Sequence, residues 1–144
     1  MTRGATLYSR QPMASPKEVT PEVDSAVRRL VARYCHLVDD GDYDAAAALF
    51  TDDARYVALG KQLEGRAAIK AMLADQGNHS TLHQVSNVVV SNGSQSGTFH
   101  AVADLNVAAK LDGSGSPAFV GRYHDTFVGE GRQMRFSQRI LTAR

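Results

Sequence analysis

Apolar positions recur along this chain with two periods, and the change of period divides it. From Thr20-Pro21-Glu22 onward, Val23, Val27, Leu30, Val31, Tyr34 and Leu37–Val38 follow at helical spacing, with Glu22, Arg28, Arg29 and Arg33 on the other face. Thr is a good N-cap, Pro suits the first helical position and Glu complements the positive end of the helix dipole. Asp39-Asp40-Gly41-Asp42 stops that helix, because Gly takes the left-handed conformation a helix end requires. The Ala-rich residues 42–50, with Tyr43, Ala46, Leu49 and Phe50 at helical spacing, predict a short second helix, and Thr51-Asp52-Asp53 the next break. Residues 55–59 and 62–64 predict a hairpin about Gly60. A third helix opens at Gly65-Arg66, carries Ala68, Ile69, Met72 and Leu73, and ends before Gly77-Asn78.

From Thr81 the period becomes two. Strands are expected at about 81–91, 96–110, 117–128 and 132–142, separated by Asn92-Gly93, Asp112-Gly113-Ser114-Gly115 and Gly129-Glu130-Gly131. Three long hairpins in succession make an antiparallel meander. Helices gathered first and strands last specify an α+β domain, not alternating α/β.

Composition narrows the classes. At 144 residues the chain is long enough for one domain with a proper core. A net charge of +1, with the basic residues scattered, offers no field for nucleic acid and no patch for a membrane surface. No apolar stretch approaches the roughly 20 residues a spanning helix needs. Residues 1–20 lack an apolar central run and read as a flexible arm before a 21–144 domain. Cys35 is the only cysteine, so no intramolecular disulfide forms and a reducing, cytoplasmic setting is expected; within its apolar pattern it reads as a packed core thiol. No CxxC or His-x-x-x-His supports zinc, and no phosphate-binding glycine loop or nucleophile elbow is present. No cofactor or metal is expected.

Tyr34 with Asp39-Asp40-Gly41-Asp42, then Leu49-Phe50-Thr51-Asp52-Asp53-Ala54, resembles the opening of SnoaL-like domains of the nuclear transport factor 2-like superfamily. Gly65 to Ile69, Thr81-Leu82-His83 with Asn87, Gly121-Arg122-Tyr123-His124-Asp125, and Met134-Arg135-Phe136 with Arg139 continue that pattern in order, over about residues 22–142. Met134 stands where the family usually has Trp. The resemblance implies a cone-shaped α+β barrel, three helices on a strongly curved, mostly antiparallel sheet, enclosing a pocket. It implies a range of activities, from dehydratases, isomerases and polyketide cyclases to binding or association modules.

Within that frame His83, near the start of the first long strand, shares a face by strand period with Val85, Asn87 and Val89. Spacing alone reads it as a core or interface histidine. The resemblance reverses this, since dehydratases and a dehydrochlorinase of the superfamily use a His at this position as the proton-transfer base. Asp39, an acid at a helix C-terminus where the dipole disfavours it, is the matching partner; the alternative is a turn residue, as for Asp40 and Asp42. Tyr34 stands 140° from Asp39 on the helix, so its place as a third catalytic residue rests on the similar spacing in bile-acid dehydratases; a core tyrosine is the other reading. Asn87, Asp104, Asn106, Tyr123 and Arg139 are substrate-binding candidates. For Asp104 and Asn106 the strand period leaves both the cavity and the outer sheet face open, and Arg139 has a buried salt bridge with Asp125 or Asp53 as its alternative.

The function expected is a cofactor-free lyase or isomerase, dehydration favoured, acting on a small apolar molecule with a carbonyl or hydroxyl. A non-catalytic binding or dimerisation module, and a polyketide-type cyclase, are the rivals. A homodimer or homotrimer is the expected assembly.

Overall fold

The computed structural model describes residues 18–75, 81–109 and 117–144. Most of the expected arm, the Gly77-Asn78 stop and the turn at 112–115 lie outside these.

Helix α1 (Pro21–Asp39) begins where its capping residues place it: the Thr20 hydroxyl accepts a hydrogen bond from the Val23 N–H at 3.3 Å. Val27, Leu30, Val31, Tyr34 and Cys35 form its buried stripe. At its end Gly41 takes φ +77°, and the Asp42 N–H returns to the Leu37 carbonyl at 2.9 Å, which satisfies a terminal carbonyl. Asp42 then caps α2 (Tyr43–Ala47) by accepting from the Ala45 N–H.

Helix α2 is shorter than the apolar spacing predicts. Phe50, together with the expected break at 51–53, belongs instead to strand β1 (Phe50–Ala58). The reason is tertiary. Phe50 pairs with Phe136, and the Phe136 N–H donates to the Leu49 carbonyl at 2.9 Å, drawing the chain into the sheet. A register shift between Phe50 and Arg55 leaves Asp52 and Asp53 exposed, which is how an acidic pair is accommodated in a strand.

Strand β2 (Lys61–Glu64) folds back on β1, and α3 (Arg66–Asp75) packs Ile69 and Leu73 inward. The meander follows as β3 (Thr81–Asn92), β4 (Thr98–Ala109), β5 (Pro117–Val128) and β6 (Arg135–Ala143). Strand β6 starts later than the pattern suggests because a 3-10 turn at Gly131–Gln133 intervenes. The sheet order is β2-β1-β6-β5-β4-β3, and β1–β6 is its one parallel pair among the described residues. That pair ties the early hairpin to the last strand. The helices cover one face, where Phe50 stacks on Phe136 and Phe136 packs at a tilt against Phe127, each with 4.9 Å between ring centres.

One irregularity decides which residues face the helices. Between Ser86 and Val89, β3 advances three residues while β4 advances two, from Asp104 to Val102. Asn87, at φ +52°, is the extra residue of this bulge. His83 and Val85 therefore point inward before it, and Val88 and Val90 after it, while Val89 is exposed. The expectation that His83, Val85, Asn87 and Val89 share one face is corrected accordingly. Asn tolerates the left-handed region and β-branched residues do not, so Asn87→Val is expected to destabilise the fold by about 1–2 kcal/mol in urea titration.

Candidate functional site

The Asp39 carboxylate closes the last turn of α1 and is met by the start of β3. Its Oδ2 accepts the backbone N–H of His83 at 2.8 Å, and its Oδ1 lies 2.6 Å from His83 Nδ1 and accepts the Thr81 hydroxyl at 3.2 Å. These donors answer the unfavourable field at a helix C-terminus. Both side chains are largely buried, 13% exposed for Asp39 and 15% for His83. An ionised carboxylate only accepts hydrogen bonds, so in the neutral ring Nδ1 carries the proton and Nε2 the lone pair.

This pair stands on the wall of a cavity of about 290 Å³. Val31, Ala32, Leu82, Val85 and Val88 make its apolar surface, while Cys35, His36 and Arg28 complete the α1 side. Arg28 is held away from the pair, bonded to Asp24 and to the Val88 carbonyl. Sequence reasoning did not single out Arg28, His36 or Thr81. The signal was present for two of them: Arg28, Ala32, Cys35, His36 and Asp39 recur three or four residues apart and so share one flank of α1.

Cys35, only 6% exposed, is chemically quiet. Burial pushes its thiol up to about 11, against the opposing pull of Arg139. The reactive thiolate is therefore scarce at neutral pH and increases as pH rises towards that value. Iodoacetamide labelling of the folded protein at pH 7.5 is expected to be slower than that of an unfolded control by roughly tenfold or more, and to accelerate with pH; labelling at the unfolded rate would place the thiol in the open.

Tyr34 does not line this cavity. It is 2% exposed and packs edge-on against Phe50 and Phe136. Burial holds the phenols of Tyr34 and Tyr56 well above their ordinary range. Deeper still, Arg139 donates from Nε and Nη2 to the two oxygens of Asp125 at 2.9 and 2.7 Å, with neither side chain exposed. Its guanidinium lies 3.7 Å from the Tyr123 ring centre and 4.4 Å from those of Tyr34 and Phe136. Burial works against the Arg139 charge, but the Asp125 carboxylate outweighs it and holds the guanidinium well above its usual value. Burial likewise raises the Asp125 carboxyl, with Arg139 opposing. Of the two readings of Arg139 left open by the sequence, the ion pair with Asp125 is the one present. Tyr123 and Arg139 are thus core residues packed on each other, and neither lines the His83 cavity.

Asn87, Asp104 and Asn106 fall on the opposite, outer face of the sheet. The Asn87 amide donates to Asp104 at 2.8 Å, Arg122 donates to the other oxygen at 2.7 Å, and Asn106 lies opposite Gln84. Arg122, and after it Asn87, hold the Asp104 carboxyl below its ordinary value. His83 is paired with Val107, whose neighbours alternate outward, so no member of this polar set is brought to the His83 cavity. The bulge moves Asn87; strand alternation places the other two.

Among the described residues no group of three or more His, Cys, Asp or Glu side chains is arranged to hold a metal ion, and no helix is long and apolar enough to cross a membrane.

Among curated proteins none matches the chain significantly. Solved structures do. Aln2 from a Streptomyces species superposes with a TM-score of 0.78 at 22% identity, over 88% of this chain and 94% of that one. ActVI-ORFA from Streptomyces coelicolor gives 0.76 at 21%, over 84% and 97%. A candidate scytalone dehydratase from Novosphingobium aromaticivorans gives 0.74 at 23%, over 85% and 84%. At these identities the likeness establishes the fold. The model of the SnoaL-like domain matches residues 21–140, the whole span from the first helix into the last strand. The chain belongs to the SnoaL-like domain family, within the nuclear transport factor 2-like superfamily.

Proposed function

We propose that this protein is a cofactor-free lyase or isomerase, with dehydration of a small hydroxy-carbonyl compound as the favoured reaction. The observation that carries it is the 2.6 Å contact between His83 Nδ1 and Asp39 on the wall of a partly apolar cavity. An imidazole oriented through Nδ1 presents Nε2 as a base, and the carboxylate stabilises the imidazolium formed when a C–H proton is taken. The same imidazolium can return that proton to the departing hydroxyl, so one residue serves both halves of an elimination. Val31, Val85 and Val88 supply the apolar contact that a small carbon skeleton needs.

The likeness to a candidate scytalone dehydratase supports the dehydration reading, and membership of the family supports a role in enzymatic or small-molecule chemistry more broadly. The second reading is a binding module, favoured by one observation: Tyr34 is withdrawn into the core, leaving His83 and Asp39 without that phenol in the cavity. A panel of β-hydroxy ketones, followed by the absorbance of the conjugated enone, separates the two. Turnover that depends on His83 supports the enzyme; a ligand that binds beside His83 and emerges unchanged, with no member of the panel converted, supports the module.

A further inference from the structure

A second groove lies on another flank of α1. Its floor is apolar and buried, made by Leu30, Leu49 and Met134, and its volume is about 720 Å³. Around the rim stand four arginines, Arg29 and Arg33 from α1 and Arg132 and Arg135 from the 3-10 turn and the start of β6. Glu22 is the one acidic side chain lining it. Of the six described arginines away from this groove, five pair with a carboxylate, Arg28 with Asp24, Arg55 with Glu64, Arg66 with Asp52, Arg122 with Asp104 and Arg139 with Asp125, and Arg144 is the exception. Among the described residues Arg29, Arg33 and Arg132 have no carboxylate partner, and Arg135 donates one nitrogen to the Arg132 and Met134 carbonyls.

Like charges four apart on a helix repel, and two more facing them across a groove add to that cost. Guanidinium groups are planar donors matched to carboxylate and phosphate oxygens. A rim of uncompensated guanidiniums over an apolar floor is complementary to a molecule with an oxyanion at one end and a hydrocarbon or aromatic body at the other. The volume is that of a small-molecule site. The chain's own residues 1–17 are a poor occupant, since they carry Arg3, Arg10 and Lys17 and no acid. None of the residues lining this groove lines the His83 cavity.

We propose that this groove is a separate binding site for small amphipathic oxyanions, carboxylates or phosphate monoesters with an apolar body. The test is calorimetric titration of the full chain with decanoate and with 1-naphthyl phosphate, alongside decanol, 1-naphthol and inorganic phosphate. At least one amphipathic anion is expected to bind about tenfold or more tightly than its neutral counterpart and than inorganic phosphate. Whichever anion binds identifies the headgroup. Binding is expected to weaken about tenfold or more in Arg29→Gln/Arg33→Gln, to weaken as NaCl rises from about 50 to about 500 mM, and to survive His83→Ala unchanged. The double Gln variant keeps the helix-compatible side chains, and its melting curve confirms that it folds. The proposal is overturned if neither anion binds, if the Gln variant binds as wild type, if inorganic phosphate binds equally well, if binding disappears with His83→Ala, or if an acidic polypeptide such as polyglutamate displaces the anion at far lower concentration.

Discussion

His83→Ala is expected to lower turnover of a true substrate by about 10²–10⁴-fold, the contribution typical of one positioned acid–base group, while the fold survives. Asp39 gives the sharper test, because its two oxygens have different tasks. One accepts the His83 N–H and the other faces Nδ1. In Asp39→Asn the backbone donor claims the amide oxygen, which leaves the amide NH2 towards Nδ1. The ring then carries its proton on Nε2, the wrong tautomer for a base. Asp39→Asn is therefore expected to cost at least as much activity as Asp39→Ala, even though Asn better preserves shape and stability. A purely structural Asp39 predicts the reverse order, and that order, or wild-type turnover in His83→Ala, would sink the catalytic assignment. Steady-state assays on the panel of hydroxy ketones, with melting curves of each variant, read both outcomes.

The second large effect concerns stability. Asp125→Ala leaves the Arg139 guanidinium fully buried without its carboxylate, and removing one partner of such a pair costs about 3–5 kcal/mol. The rings of Tyr34, Tyr123 and Phe136 soften this through cation–π contact but cannot replace two charge-assisted hydrogen bonds. Arg139 Nη1 is itself buried with no hydrogen-bond partner among the described residues. Removing both charges together, as in Asp125→Leu/Arg139→Met, is expected to restore most of the loss, since no unpaired ion remains. Urea denaturation measures each variant. A single substitution costing under about 1 kcal/mol would show that water or a rearranged neighbour reaches the guanidinium.

The two sites differ in how far the sequence disclosed them. Asp39 was legible as an acid at an unfavourable helix end, and His83 as a titratable residue on the same strand face as Val85. Neither signal contained the other. Their pairing entered through resemblance to a family, and the geometry that joins them lies in a long-range docking of β3 on α1. Asn106 and Asp104 illustrate the opposite limit: alternation puts them on one face of their strand, but which face of the sheet receives the helices is not written in the period. Asn87 failed for a local reason, since one residue inserted into a strand reverses the side of everything after it, and a bulge leaves little mark in apolar alternation.

By itself, then, the sequence determined the α+β class, the limits of α1, the start of α3, and the four-strand meander, because caps, glycine turns and apolar periods act over a few neighbouring residues. It also marked Cys35 as a packed thiol, from the apolar stripe it sits in. The tertiary structure alone decided that β1 joins β6 in parallel, that Phe50 leaves the second helix for the sheet, and that Tyr34 lies in the core and not on the cavity wall. It alone brought Asp39 to His83 and Arg139 to Asp125. These outcomes depend on contacts between residues far apart in the chain, whose energies compete with local preference and exceed it once the core has formed.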